Sequence, residues 1–91
     1  MERVLAQKGS HMTNRDKYVA AFQSTLMVEE AKLSDLKYQD VATWDSVGHM
    51  ALIAALEAAF GIELHIDDII DFSSYTAGQD ILAKYNIRME D

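Results

Sequence analysis

The stretch from Ser46 to Phe60 constrains the fold of this chain most, because it combines helical periodicity with a single charged residue, Glu57. Its apolar positions form two stripes: the first contains His49, Leu52, Ile53, Leu56 and Phe60, and the second contains Val47, Met50, Ala51, Ala54 and Ala58. A helix that is apolar all round is either buried on every side or presents an apolar face to another molecule. A small domain cannot bury a helix completely, so we expect the second stripe to be exposed.

Two interpretations of this second stripe stay open on the sequence alone. It is either a surface that contacts a partner or a solvent-facing surface filled with alanine, which has the highest helix propensity. The ends of the helix are better defined. Asp45 is a good N-cap directly before Ser46, and Gly61 suits the left-handed conformation that ends a helix.

The first helix is predicted from residue 14 to about residue 28, where apolar residues recur at helical spacing, with Thr13 or Asn14 as its cap. Residues 29–44 lose this period. We expect them to form an ordered loop that its own apolar residues pack over the core, with a short helical turn near residues 34–37.

A short third helix is predicted over residues 67–72, with Asp67 as its cap. Three apolar side chains of this segment are expected to face inward: Ile69, Ile70 and Phe72. The whole chain lacks proline and shows little of the alternation of apolar and polar residues that is typical of β-strands, so we expect helices to dominate.

The fourth helix is predicted from residue 75 to about residue 85, with Ser73-Ser74 as its cap. Gly78 inside it costs about 1 kcal/mol relative to alanine, so we expect it to mark a close approach of two helices. These segments predict an all-α fold. It is a small four-helix bundle with three longer helices, one short third helix and a long loop between helices one and two.

Residues 1–11 are typical of an expression-vector leader, since Gly9-Ser10-His11-Met12 is similar to the remnant of a protease site followed by a restriction-site methionine. We therefore predict a single domain over residues 12–91. A stretch of this length is sufficient for one small hydrophobic core.

The acidic balance of the chain, a formal net charge of −7, limits the classes of partner. It disfavours nucleic acid and anionic membrane surfaces and favours basic protein surfaces. Because cysteine is absent, the sequence supports neither a disulfide framework nor a thiolate metal site. No sequence segment is long and apolar enough to span a bilayer. We expect a soluble cytoplasmic monomer.

Ser46 occupies the first turn of the second helix, beside backbone N–H groups that have no partner within the helix. The positive end of the helix dipole favours an anion at this point, such as a phosphate ester. Because Asp45 caps the helix, the hydroxyl of Ser46 is free for another role.

Residues 14–85 resemble the acyl carrier protein family. Asp45-Ser46-Val47 is similar to the family's Asp-Ser-Leu attachment motif, with valine in the position of leucine. The later stretch FGIELHIDDIIDFSSYTAGQDIL has the family's Phe-Gly-Ile-Glu-Leu opening, acidic short helix and Ser-Ser entry to the last helix. The resemblance implies that residues 12–91 are an acyl-carrier domain with a helical bundle of that family's type.

The resemblance also implies a covalent cofactor. A separate phosphopantetheinyl transferase would attach 4′-phosphopantetheine from coenzyme A to Ser46, using magnesium, and Asp45 would assist this attachment. The carrier would then hold acyl or aminoacyl groups as thioesters and present them to acyl-loading and acyl-processing enzymes. It would not itself be an enzyme. Fatty acid or polyketide biosynthesis is the implied setting.

Two departures from the family pattern concern the partner surface. Carriers of fatty-acid synthesis have several glutamates along the second helix, whereas here Glu57 is the lone acid after Asp45, and Trp44 replaces a small residue. We therefore expect a specialised pathway and a more apolar partner surface, made of Val47, Met50, Ala51, Ala54 and Glu57. The acids of the third helix are expected to steer the encounter: Asp67, Asp68 and Asp71.

The same residues suggest two other functions. A non-modified interaction module would keep the fold and dock partners through the apolar second helix. A hydrolase would need a base near Ser46, and His49 lies one turn away, but the chain lacks a G-x-S-x-G elbow and is too small to enclose a pocket. We expect His65, Asp67 and Asp68 to form a solvated cluster at a helix start rather than a metal site.

Overall fold

The structure is a computed structural model that describes residues 12–89. Within them the chain forms four α-helices, one 3₁₀ helix and no β-strand, which confirms the all-α prediction. The helices are α1 (Asn14–Leu26), α2 (Ser46–Phe60), α3 (Ile66–Asp71) and α4 (Tyr75–Ala83), and the 3₁₀ helix spans Glu30–Lys32. None of the helices in this part of the chain has the length and hydrophobicity to cross a membrane. The leader predicted at residues 1–11 lies outside the described residues.

Helix α1 begins where the sequence predicts and ends two residues earlier. Thr13 is its N-cap, and the side chain of Asp16 completes a capping box by accepting the N–H of Thr13. The helix stops at Leu26 because Met27 takes a left-handed conformation, with φ of 59°. The hydroxyl of Thr43 then donates to the carbonyl of Leu26 (2.6 Å), so the long loop caps this helix end.

The long loop is ordered, but its helical turn lies at Glu30–Lys32 rather than at residues 34–37. The later segment instead pairs with the chain before α4. The N–H of Tyr38 donates to the carbonyl of Ser73 and the N–H of Tyr75 donates to the carbonyl of Leu36, both at 2.9 Å. This short antiparallel bridge joins the loop to the α3–α4 connection.

Aromatic rings form the part of the core that lies under the start of α2. Phe22 packs edge-on against Trp44, with ring centroids 5.5 Å apart, and against Tyr75 at 5.2 Å. Tyr18 is fully buried and its hydroxyl donates to the carbonyl of Tyr75 (2.6 Å). Burial raises the pKa of the Tyr18 phenol, so it remains a neutral donor. The core therefore ties α1, the loop and α4 together.

Helix α3 departs from its prediction in three respects. It begins at Ile66 and ends at Asp71, and the residue before it, His65, makes no side-chain cap, so Asp67 lies in the first turn rather than at the cap. Ile70 is 70% exposed instead of facing inward. Periodicity fails here because six residues cover fewer than two turns, too few to define one face.

Helix α4 is capped as predicted by Ser74, whose hydroxyl accepts the N–H of Ala77 (2.9 Å), and it ends at Ala83 instead of near residue 85. Asn86 takes a left-handed conformation just beyond it. Gly78 marks the close approach that the sequence suggested. A Cβ atom there would collide with the ring of Phe72 and the hydroxyl of Tyr18.

Replacing this glycine tests the packing of α4 against the aromatic core. Gly78→Ala should lower the free energy of unfolding by about 1–3 kcal/mol, because buried rings cannot move aside cheaply. This cost should outweigh the gain of about 1 kcal/mol in helix propensity. Urea unfolding followed by circular dichroism measures the difference.

The matched control is Asp80→Ala, at an exposed position of the same helix. Its free energy of unfolding should stay within about 0.5 kcal/mol of the wild-type value. A Gly78→Ala variant as stable as the wild type would contradict the close contact of Gly78 with Phe72 and Tyr18.

Candidate functional site

Ser46 lies at the first position of α2 and its side chain is exposed. Asp45 is the N-cap, as predicted, and its Oδ1 accepts the N–H of Gly48 (2.8 Å). The N–H groups of Ser46 and Val47 have no hydrogen-bond partner within residues 12–89. The start of α2 therefore offers a free hydroxyl beside two free donors, at the positive end of the helix dipole.

Gly48 belongs to a contact between the loop and α2. A Cβ atom at this position would collide with the carbonyl oxygen of Thr43 and would lie 3.2 Å from the side chain of Leu26. The glycine thus lets the loop cross directly over the first turn of α2. The signal that could have indicated this contact is the one that marks Gly78, since a glycine inside a helix costs stability relative to alanine.

Trp44 and His49 connect the loop to α2 and α3. Trp44 is fully buried, and its indole N–H donates to Nδ1 of His49 (3.0 Å). Nε2 of the same imidazole lies 2.8 Å from the carbonyl oxygen of Ile69 on α3. Both ring nitrogens are therefore engaged, and in this arrangement neither can take a proton from Ser46. The sequence predicted that His49 lies one helical turn from Ser46, but it gave no sign of these two partners.

A surface cleft of about 360 Å³ opens beside Ser46, between α2 and α3. Its lining includes Ser46, His49, Met50, Ile66, Ile69 and Ile70. The cleft is predominantly apolar, and Ser46 contributes a hydroxyl to its edge. Such concave apolar surfaces with few polar groups are the usual form of a small-molecule site.

Large apolar side chains are exposed around this cleft. Val47 is 77% exposed and Met50 is 55% exposed on α2, and Ile66 is 68% exposed on α3, where Ile70 is similarly exposed. Ala51, Ala54 and Ala58 continue the exposed stripe along α2. The predicted exposure of the second stripe is thus confirmed. Alanine filling explains part of it, but Met50, Ile66 and Ile70 form an exposed apolar patch at one cleft, and such patches mark interaction sites.

Glu57 differs from the other residues that the sequence assigns to the partner surface. It is half-buried, and its Oε2 accepts the N–H of Leu64 (2.9 Å). The carboxylate therefore fixes the chain that returns from α2 toward α3. Val47, Met50, Ala51 and Ala54 are all exposed, so the free part of the candidate surface carries no charge.

Asp68 is the one buried charged residue of the described chain, at 8% exposure, although the sequence suggested a steering role on the surface. Nζ of Lys84 donates to its Oδ1 and the hydroxyl of Tyr85 donates to its Oδ2, both at 2.6 Å. The hydrogen bond from Lys84 lowers the pKa of the Asp68 carboxyl most, and the hydrogen bond from Tyr85 lowers it further. Asp67 and Asp71 stay exposed on either side.

Metal binding has no support in the described part of the chain. Residues 12–89 contain no group of three or more histidine, cysteine, aspartate or glutamate side chains that could hold an ion. His65 and Asp67 are both exposed, whereas Asp68 is committed to Lys84 and Tyr85.

Comparison with known proteins yields no significant match to a family model, to a curated protein or to a solved structure. We therefore infer function from the residues of this chain and their arrangement.

The ion pair of Asp68 makes the attachment of α3 sensitive to acid. The pKa of Asp68 is lowered in the folded state, whereas the ordinary aspartate value is about 3.9. The pair therefore stabilises the fold fully above about pH 5, and this contribution is lost progressively as the pH falls through the depressed pKa. Asp68→Asn should therefore destabilise the protein at pH 6, and the difference from wild type should shrink at pH 3. Thermal unfolding followed by circular dichroism at the two pH values measures this.

Asp67→Asn provides the control, because Asp67 precedes Asp68 in α3 and is exposed. Its melting temperature should differ little from that of the wild type at either pH. Equal pH dependence in the two variants would contradict a special role of the Asp68 pair.

Proposed function

We propose that this protein is an acyl carrier whose Ser46 bears 4′-phosphopantetheine. The observation that carries the proposal is the exposed hydroxyl of Ser46 at the first position of α2, beside an apolar cleft. Because Asp45 is the N-cap, this hydroxyl is not needed to cap the helix. The finer description of the fold, a bundle of the acyl-carrier type, is part of the same proposal. It rests on the resemblance of residues 14–85 and on the matching order of helix lengths.

The attachment requires little chemistry from the carrier itself. The oxygen of Ser46 would form a bond to phosphorus as the pyrophosphate link of coenzyme A breaks, releasing adenosine 3′,5′-bisphosphate, and the serine proton would pass to a base of the transferase. The free N–H groups of Ser46 and Val47 suit the resulting phosphodiester, since a helix N-terminus favours an anion. No activated serine is needed on this chain.

Asp45 can serve in both of the roles that the sequence suggests. Its Oδ1 caps α2, while its Oδ2 has no hydrogen-bond partner within the described residues and the side chain is exposed. A free carboxylate oxygen is a suitable ligand for magnesium, which usually binds through one or two carboxylates together with substrate phosphates. We therefore assign Asp45 to assist the transfer inside the complex with the transferase.

The partner surface of the proposed carrier is the apolar patch around the cleft. Partner enzymes would meet Val47 and Met50 on α2 and the two exposed isoleucines of α3, Ile66 and Ile70. A few well-packed, desolvated side chains near the centre of an interface supply most of its affinity. The exposed carboxylates at the edges, Asp67 and Asp71, would favour a partner with basic residues at its rim.

A non-modified interaction module is the second candidate, and the same apolar patch favours it. The two functions differ only at Ser46. A module would dock partners through α2 and α3 and leave the hydroxyl unmodified, whereas a carrier requires it.

Incubation with coenzyme A and a promiscuous phosphopantetheinyl transferase separates the two candidates. Intact mass spectrometry should show one added phosphopantetheine on the wild-type protein and none on Ser46→Ala. Ser73→Ala is the matched control, because this exposed serine lines the same cleft but does not start a helix, and it should load fully. An unchanged wild-type mass with several transferases would refute the carrier and leave the module.

Docking through the apolar patch predicts a selective effect of added charge. Met50→Glu should lower kcat/KM for loading by about tenfold, since it introduces a charge that the interface must desolvate. Far-UV circular dichroism and the melting temperature should change little, because Met50 is exposed.

Gln23→Glu adds the same charge at an exposed position of α1 and should load at the wild-type rate. A large loss of stability in Met50→Glu would instead show that Met50 belongs to the core, and the assigned surface would be wrong.

A further inference from the structure

Helix α3 packs against the core through Ile69 and through Phe72 at its C-terminal end, and polar contacts add to this attachment. Its one buried side chain is that of Asp68, while Ile66 and Ile70 are exposed. Asp68 fastens the helix to the chain after α4 through Lys84 and Tyr85. A second polar contact holds the side of α3 that faces α2.

The imidazole of His49 supplies this contact, and its partners fix its tautomer. The indole N–H of Trp44 can only donate, so Nδ1 of His49 must accept and carries no proton. The ring proton of neutral His49 is then on Nε2, which donates to the carbonyl of Ile69 (2.8 Å). Trp44, His49 and Ile69 form one directed chain of hydrogen bonds from the loop through α2 to α3.

The carbonyl of Ile69 needs this donor. It lies in the last turn of α3, where carbonyl groups have no α-helical partner. Its other hydrogen bond, from the N–H of Phe72, is long at 3.4 Å. The imidazole is in turn held by its neighbours: its plane lies within 18° of that of the hydrogen-bonded Trp44 indole, and the rings of Tyr38 and Phe72 meet it at steep angles.

We propose that His49 is a positioning residue that fixes α3 against the start of α2 and thereby sets the width of the cleft beside Ser46. The cleft walls carry Met50 on one side and Ile66, Ile69 and Ile70 on the other, and the His49–Ile69 bond spans the two walls. Loss of this bond frees the α3 wall on the side that faces Ser46. The importance of the cleft for cargo rests on the proposed carrier function, whereas the bond itself does not.

Two substitutions separate the two halves of the contact. In His49→Gln the amide nitrogen is as many bonds from the backbone as Nε2, so it can still donate to Ile69, but Trp44 loses its acceptor. In His49→Asn the side-chain oxygen takes the position of Nδ1, so it can accept from Trp44 but cannot reach Ile69. Both variants retain a polar side chain of related shape.

Amide and indole hydrogen exchange in the unmodified protein, measured by NMR, should follow this division. In His49→Asn the amides of Ile69, Ile70 and Phe72 should exchange about five- to tenfold faster than in wild type, the effect of one lost hydrogen bond, while the Trp44 indole N–H stays protected. In His49→Gln the α3 amides should keep wild-type rates and the indole N–H should exchange faster. In wild type, long-range proton–nitrogen correlation should place the imidazole proton on Nε2.

A role in packing alone would move the two probes together, so equal exchange of α3 in the two variants overturns the proposal. A proton on Nδ1 of wild-type His49 overturns it as well, even if one variant fails to fold. Loading at Ser46 is scored separately by intact mass. A wild-type protein that does not load refutes the carrier function but leaves the positioning role of His49 standing.

Discussion

The burial of Trp44 is the constraint on which the start of α2 depends. A buried indole N–H needs an acceptor, and here the acceptor is the imidazole of His49, one turn into the helix. Trp44 also accepts the N–H of Gln39 and donates its own N–H to Val41, so the loop closes around it. Once this ring is in place, Asp45 and Ser46 emerge at the surface as the cap and first residue of α2.

The contact of His49 with α3, together with the ion pair of Asp68, helps to explain how so small a domain orders a helix of six residues. A short helix has little intrinsic stability, and within α3 only Ile69 packs an apolar side chain against the core, followed by Phe72 at the helix end. His49 and Asp68 also bind it at two points, one toward α2 and one toward α4. Two isoleucines, Ile66 and Ile70, can therefore remain exposed beside the cleft rather than being consumed in packing.

The sequence predicted the features that arise from local chemistry. Asp45 caps α2 because a carboxylate directly before an apolar run has that role in most contexts, and the exposed second stripe follows from the size of the domain. Contacts between residues that are far apart in the sequence could not be predicted. The burial of Asp68 depends on Lys84, sixteen residues away, and the constraint on Gly48 depends on the carbonyl of Thr43 in the loop. Neither contact leaves a periodic signal.

The arrangement of charge around Ser46 separates the rate of partner encounter from the affinity of the complex. The overall acidity of the chain, with exposed carboxylates at Asp45, Asp67 and Asp71, attracts a basic surface over distances of about a Debye length. These rim charges contribute mainly to association rate. The free face of α2 carries no charge, so on the proposed function the lifetime of a complex would depend on apolar contacts with Val47 and Met50. On the same proposal, such a partner would be sensitive to the shape of the cleft, and the position of α3, and therefore His49, would contribute to recognition.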